Sequence, residues 1–217
     1  MTAIMLIERQ PLVRAAWAAL LREWDSFEVV TALGLADDVL RQARAIQPEV
    51  AVIGIGAFDG AAINIIERLI RAVPDCGVVA LAAHSQPPLP THLIELGVRG
   101  YVTINHPAKD LREAIVAVAS GSMFVGAEAA QQLAMSMLPG QHRSPFQRLT
   151  PRELEVAMLM MQGLRMPAMA EQIRVSPKTV ATYKYRVYDK LAVRSEVDLL
   201  KLAMRHGLVK SEGATVH

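Results

Sequence analysis

The stretch PEVAVIGIGAFDG, Pro48–Gly60, decides the fold. Val50-Ala51-Val52-Ile53 is apolar on both faces, as a central strand of a parallel sheet must be when helices cover it on either side. In an open α/β sheet, ligands and chemistry lie just past the carboxyl ends of such strands. Here that place holds Gly54-Ile55-Gly56, with no acid, nucleophile or metal ligand. A dinucleotide fingerprint would need glycine at its sixth position, where Asp59 stands, and would follow the first strand of its unit. The loop does not meet that pattern.

Outward from this strand, the chain up to Gly121 alternates short apolar runs with amphipathic stretches. Strands are predicted at Ala3–Ile7, Phe27–Leu33, Val50–Ile55, Gly77–Ala82 and Gly100–Val102. Helices are predicted at Pro11–Trp24, Ala36–Ile46, Ala61–Val73, Thr91–Leu96 and Pro107–Ala119. Pro11 and Pro107 each suit a first helical turn, where the missing N–H costs nothing. Five β/α repeats with short connections imply a flavodoxin-like α/β domain, a doubly wound parallel sheet. After Gly121 the alternation stops. Glu128–Leu138 can form a helix, Pro139-Gly140 ends it, and QHRSPFQR, Gln141–Arg148, has the composition of a linker.

Composition narrows the class. With 52% hydrophobic and 20% charged residues the chain can bury real cores. No apolar run approaches the ~20 residues of a membrane-spanning helix, and MTAIMLIERQ lacks the basic start and cleavage site of a signal peptide. A single cysteine, Cys76, excludes an internal disulfide and fits a reducing cytoplasm. It is expected as a small half-buried filler beside a strand. The net charge of +2 conceals an asymmetry: residues 1–146 hold 11 Lys and Arg against 14 Asp and Glu, whereas residues 147–210 hold 12 against 6. A basic block behind a slightly acidic one suggests a polyanion-binding module.

In that block the periodicity is purely helical. Thr150-Pro151-Arg152-Glu153 is a capping box with proline in the first turn. Leu154, Ala157, Met158 and Met161 then form an apolar face, and Gly163 is placed to end the helix. The methionines Met158, Met160, Met161, Met166 and Met169 are expected as core filler. Pro167–Ile173 is a short second helix, and Ser176-Pro177 opens a third, Lys178–Leu191. Ser195 caps a fourth, which runs to about His206 before Gly207. A short helix, a turn at Arg174-Val175-Ser176 and a longer basic helix make a helix-turn-helix, whose second helix enters the major groove. That helix carries Lys178, Lys184, Arg186 and Lys190 with only Asp189 of opposite sign.

The segment from LTPRE, Leu149–Glu153, through SPKTV, Ser176–Val180, to the Lys190-Leu191, Val193-Arg194-Ser195 end closely resembles the LuxR-type helix-turn-helix. With the α/β half, the chain resembles a response regulator of the NarL/FixJ family. The resemblance implies that Lys178, Thr179, Ala181, Thr182 and Tyr185 face the DNA groove and that Lys190 meets the DNA backbone. Thr182 and Tyr185 can hydrogen-bond bases or phosphates, Ala181 can pack on a thymine methyl, and the lysines neutralise phosphate charge. The chain departs from the family at Arg165-Met166-Pro167-Ala168, which replaces a polar cap and a Lys-Glu pair, and at Tyr183, where histidine is common.

In receiver domains of this family, an acid pair after the first strand and an Asp after the third hold Mg²⁺, and that Asp accepts a phosphoryl group. A hydroxyl after strand four and a Lys after strand five contact its oxygens, offsetting the charge of a dianion. Carried onto this chain, the acid pair becomes Glu8-Arg9, the acceptor Gly54, the hydroxyl position Ala82 and the Lys position Ile104. Only Glu8 keeps a carboxylate, and Arg9 opposes a metal. The resemblance therefore implies an inactive phosphorylation site in a pseudo-receiver. Asp59 is the nearest other acid and is expected to cap the following helix; His84 and His106 are expected at the surface.

The expectation is a cytoplasmic, two-domain transcription regulator acting independently of Asp phosphorylation, with no enzymatic site, cofactor or metal. The units are 1–121 for the pseudo-receiver, 122–146 for a linker with a helix, 147–211 for the reader and 212–217 for a tail. Its partners are double-stranded DNA and a second copy of itself, with a protein or small ligand able to act at the pseudo-receiver. The alternatives are a regulator phosphorylated at a non-standard acceptor, and an interaction protein that sequesters another regulator without reading DNA.

Overall fold

Val50–Ile55 (β3) is buried along its whole length and hydrogen-bonds on both edges, to Thr2–Ile7 (β1) and to Gly77–Ala82 (β4). These coordinates are a computed structural model, which describes residues 1–56, 60–83, 89–137, 145–173 and 175–206. Phe27–Leu33 (β2), Gly100–Thr103 (β5) and Phe124–Val125 (β6) complete a parallel sheet of order β2-β1-β3-β4-β5-β6. Alternation splits the core between two faces. Met5, Ile7, Ile53 and Tyr101 point to one side, and Ile4, Leu6, Val52 and Val102 to the other.

The helices are Pro11–Arg22 (α1), Val39–Ile46 (α2), Gly60–Ala72 (α3), Leu89–Glu95 (α4) and Ala108–Ala119 (α5). Predicted starts are corrected, that of α4 from Thr91 to Leu89 among them. α2 begins at Val39 rather than Ala36, because Asp38 takes the cap position and its carboxylate accepts from Arg41 N. Pro107 stands one residue outside α5, since its ψ of 149° is extended rather than helical. β6 is an addition to the five predicted strands. Two residues carry no readable period; the strand exists because Phe124 N donates to Arg99 O and Gly126 N to Tyr101 O, each at 2.9 Å.

The second half holds Ala127–Met137 (α6), a 3-10 turn at Pro145–Arg148, and then Pro151–Met161 (α7), Met166–Gln172 (α8), Pro177–Leu191 (α9) and Glu196–Arg205 (α10). The Thr150 capping box forms with both of its bonds, and Gly163 ends α7 in the left-handed region at φ 74°. Ser195 caps α10 by accepting from Asp198 N at 3.1 Å. Cys76 is buried rather than half-buried, and burial pushes its thiol up to about 11. Met158, Met160 and Met169 lie in the core, while Met166 is largely exposed. The expected roles of Asp59, His84, Pro139-Gly140, Arg174 and Gly207 fall outside the described residues.

α7 packs on α3, and their apolar side chains join one continuous cluster that includes Ile63, Ile66, Leu154 and Ala157. The approach is close at Gly60, where an added Cβ would collide with the buried Glu155. Arg152 pairs with Glu155 at 2.7 Å and, with the Asn64 amide oxygen turned toward it, donates to that oxygen at 3.0 Å. Backbone and side chain thus meet where only glycine leaves room.

His92 on α4 is buried, its Nε2 has no hydrogen-bond partner among the described residues, and burial lowers its pKa from 6.5. The unfolded chain therefore binds a proton that the folded chain resists, so stability falls as pH drops below about 6.5. Urea midpoints at about pH 7.5 and 5.5 are expected to differ less in His92→Leu than in the unaltered chain; an equal difference contradicts this.

Candidate nucleic-acid interface and the carboxyl end of the sheet

At the carboxyl end of the sheet the structure brings Glu8 and Gly54 together. Glu8 is 8% exposed, and its Oε1 accepts from Gln10 N at 2.7 Å while its carbonyl accepts from Arg14 Nη1 at 2.8 Å. A Cβ built on Gly54 would stand 2.9 Å from Trp17 Cζ3 and closer still to Glu8 Oε2. The space over position 54 thus holds a carboxylate from just past β1 and an indole from α1. Ala82 lies beside it in register with Ile55 and is fully buried. Ile104 donates its N–H to Ala82 O, but its side chain is 57% exposed and turned away from a buried site. Arg9 is exposed and lines a cleft of about 900 Å³ between α2, α3, α7 and α8. Among the described residues, no group of three or more His, Cys, Asp or Glu could hold a metal. His106 is half-buried, with Nδ1 2.7 Å from Thr103 Oγ1.

The other site is built on α9. Ser176 Oγ caps it by accepting from Thr179 N at 3.1 Å, and Val180, Val187 and Leu191 anchor its inner face against α7 and α8. Lys178, Thr182, Tyr185 and Arg186 are left exposed, Tyr185 at 74%. Thr179 and Ala181 are half-buried, and Thr179 Oγ1 lies 2.8 Å from Ser176 Oγ, within the cap. Thr182 Oγ1 donates to Lys178 O at 3.1 Å.

Two lysines of this helix are tied down. Lys184 Nζ donates to Glu196 at 2.7 Å and lies over the Tyr188 ring, and the Glu196 bond raises its pKa. Lys190 Nζ donates at 2.6 Å to Glu153, which is 2% exposed and also accepts from Thr150 N. Burial pushes the Glu153 carboxyl up, but the bonds from Lys190 and Thr150 outweigh it and hold the group below its ordinary value. So the lysines of α9 do not face only Asp189: Glu153 and Glu196 oppose them from other helices. Both acids were visible in the sequence, Glu153 as a capping-box residue, but their second partners lie 37 and 12 residues away.

Lys190 therefore holds α9 to the start of α7 whatever it does toward a phosphate. Lys190→Met is expected to lower stability by about 2 kcal/mol, because it removes one of the two donors that meet a buried carboxylate oxygen. A surface cation serving DNA alone would leave the urea midpoint unchanged.

Comparison with known proteins agrees with this arrangement. Residues 147–203 match the family described as bacterial regulatory proteins, luxR family. Response regulator GacA of Pseudomonas aeruginosa is 32% identical over 96% of this chain and 98% of its own length. Response regulator UvrY of Escherichia coli O6:H1 is 30% identical over 98% of each. Among solved structures, RcsB of Salmonella enterica serovar Typhimurium, bound to promoter P1flhDC in the presence of the phosphomimetic BeF3-, gives a TM-score of 0.69. It has 21% identity, over 93% of this chain and 97% of that one, a likeness of fold. The identity to GacA and UvrY extends through both the sheet and the helical half. The chain belongs to their family, the response regulators with a LuxR-type helix-turn-helix.

Proposed function

We propose that this chain is a sequence-specific DNA-binding transcription regulator that works as a dimer and independently of Asp phosphorylation. The units are residues 1–121, an α/β pseudo-receiver, and 147–211, the reader, joined by 122–146, which also adds β6 to the edge of the sheet. The observation that carries the phosphorylation-independent part is the filled space over Gly54. Gly54 has no side chain to take a phosphoryl group, and the ends of Glu8 and Trp17 stand over it. Arg9, Ala82 and Ile104 supply neither the second acid, the hydroxyl nor the ammonium that an acyl phosphate requires.

DNA binding follows from α9. Its N-terminal amides and Lys178 suit a phosphate, while Thr182 and Tyr185, one turn further on, suit base edges. Thr179 supports this face through the Ser176 cap, and Ala181 leaves room for a thymine methyl. One short helix covers only a half-site, so a dimer with recognition helices about 34 Å apart supplies the remaining affinity. The cleft between α3 and α7 supports a second mode of control, since a ligand there would touch both units.

Gel shifts on genomic fragments test the proposal. Lys178→Ala is expected to weaken all complexes and reduce their salt dependence, and Thr182→Ala to weaken the preferred site by about tenfold or more. Unchanged binding in both variants overturns the placement of the interface.

A further inference from the structure

α9 offers several polar groups outward, and the structure distinguishes them by what they have left to give. The ion pairs of α9 with described residues are those of Lys184 and Lys190. Thr179 is bound into the Ser176 cap. Lys178 and Arg186 carry only donors, and the Tyr185 hydroxyl can play either part. Thr182 differs from all of these, because its single hydroxyl proton is spent on Lys178 O, one helical turn back. That back-bond is a common resting place for a helical threonine. Toward solvent the Thr182 oxygen presents lone pairs alone.

We infer that Thr182 is a specificity-determining hydrogen-bond acceptor, which reads the exocyclic amino group of adenine (N6) or cytosine (N4) in the major groove. This rests on the DNA-binding proposal and adds the polarity of one contact. In the major groove, amino donors occur only on adenine and cytosine; guanine N7 and O6, adenine N7 and thymine O4 are acceptors. An oxygen without a free proton gains nothing from these acceptors, and facing one would leave two acceptors in contact. The flanking donors suit the opposite partners. Lys178 and Arg186 each stand four residues from Thr182, about 6 Å along the helix axis. The exposed face therefore runs donor, acceptor, donor. It fits a half-site in which an adenine or cytosine amino group is flanked by guanine acceptors or phosphates. The Thr182 methyl remains free for an apolar contact, so the hydroxyl and methyl contributions can be separated.

The test uses the full chain and duplexes selected from a random-sequence pool, with Thr182→Val, which keeps the shape and loses the oxygen, and Thr182→Ser, which keeps the oxygen. In the selected site each adenine is replaced by purine or by 7-deazaadenine, and each cytosine by 2-pyrimidinone, removing single amino groups or N7 acceptors. At one position per half-site, amino removal is expected to weaken binding by the unaltered chain and by Thr182→Ser about tenfold. The same removal leaves Thr182→Val unaffected, and loss of N7 shows no dependence on residue 182. Dependence on N7 rather than on an amino group overturns the inference. So does a Thr182→Val variant that binds and selects as the unaltered chain does. Failure of the unaltered chain to select any duplex overturns both this and the DNA-binding proposal.

Discussion

The carboxylate of Glu8, folded over the bare backbone of Gly54, is the contact on which the carboxyl end of the sheet depends. It is buried at the end of one central strand, against the next, and is held by Gln10 N and roofed by Trp17. Burying a carboxylate is costly unless its oxygens are met by donors, and here the turn into α1 supplies one. Gly54 and Glu8 are complementary: the bare backbone of one leaves the space that the carboxylate of the other takes, beside the Trp17 ring. This constraint lets β1 and β3 end side by side with their space filled from within, and α1 and α3 depart from those ends.

From α3 the order passes to the helical half. The meeting of Gly60 with Glu155 brings α3 and α7 into close contact, and the apolar cluster runs through it without a break. α7 in turn fixes α9, through Val180 and Val187 in the core and through Glu153 on Lys190. α9 is therefore held from two sides by carboxylates of neighbouring helices, Glu153 and Glu196, while its opposite face stays open. Holding a helix in this way lowers the cost of ordering it on a groove, which is the usual gain from preorganisation.

Much of this was legible in the residues. The continuous apolar runs at 50–55 and 77–82 gave strands whose bounds agree with the structure, because a strand buried on both faces leaves an uninterrupted signal. The caps at Thr150, Ser176 and Ser195 form as local chemistry requires, since each bond spans three residues. The sequence could also indicate which groups were missing at positions 54, 82 and 104. What it could not indicate was what had filled their place. Trp17 reaches Gly54 only through the packing of α1 on the sheet, and β6 exists only because an already formed β5 offers it an edge. The sequence sets only Asp189 against the lysines of α9 and shows Glu153 as a capping-box residue. One carboxylate oxygen, Oε2, accepts from both Thr150 N and Lys190 Nζ, and only the tertiary structure brings that lysine to 2.6 Å.

The decisive measurement treats the full chain with acetyl phosphate and Mg²⁺, then takes the intact mass and the DNA affinity of the same sample. If the carboxyl end of the sheet is chemically silent, the mass stays that of the unmodified chain and the Kd for its selected duplex is unchanged. A stable gain of about 80 Da, one phosphoryl group, accompanied by tighter DNA binding, would contradict it.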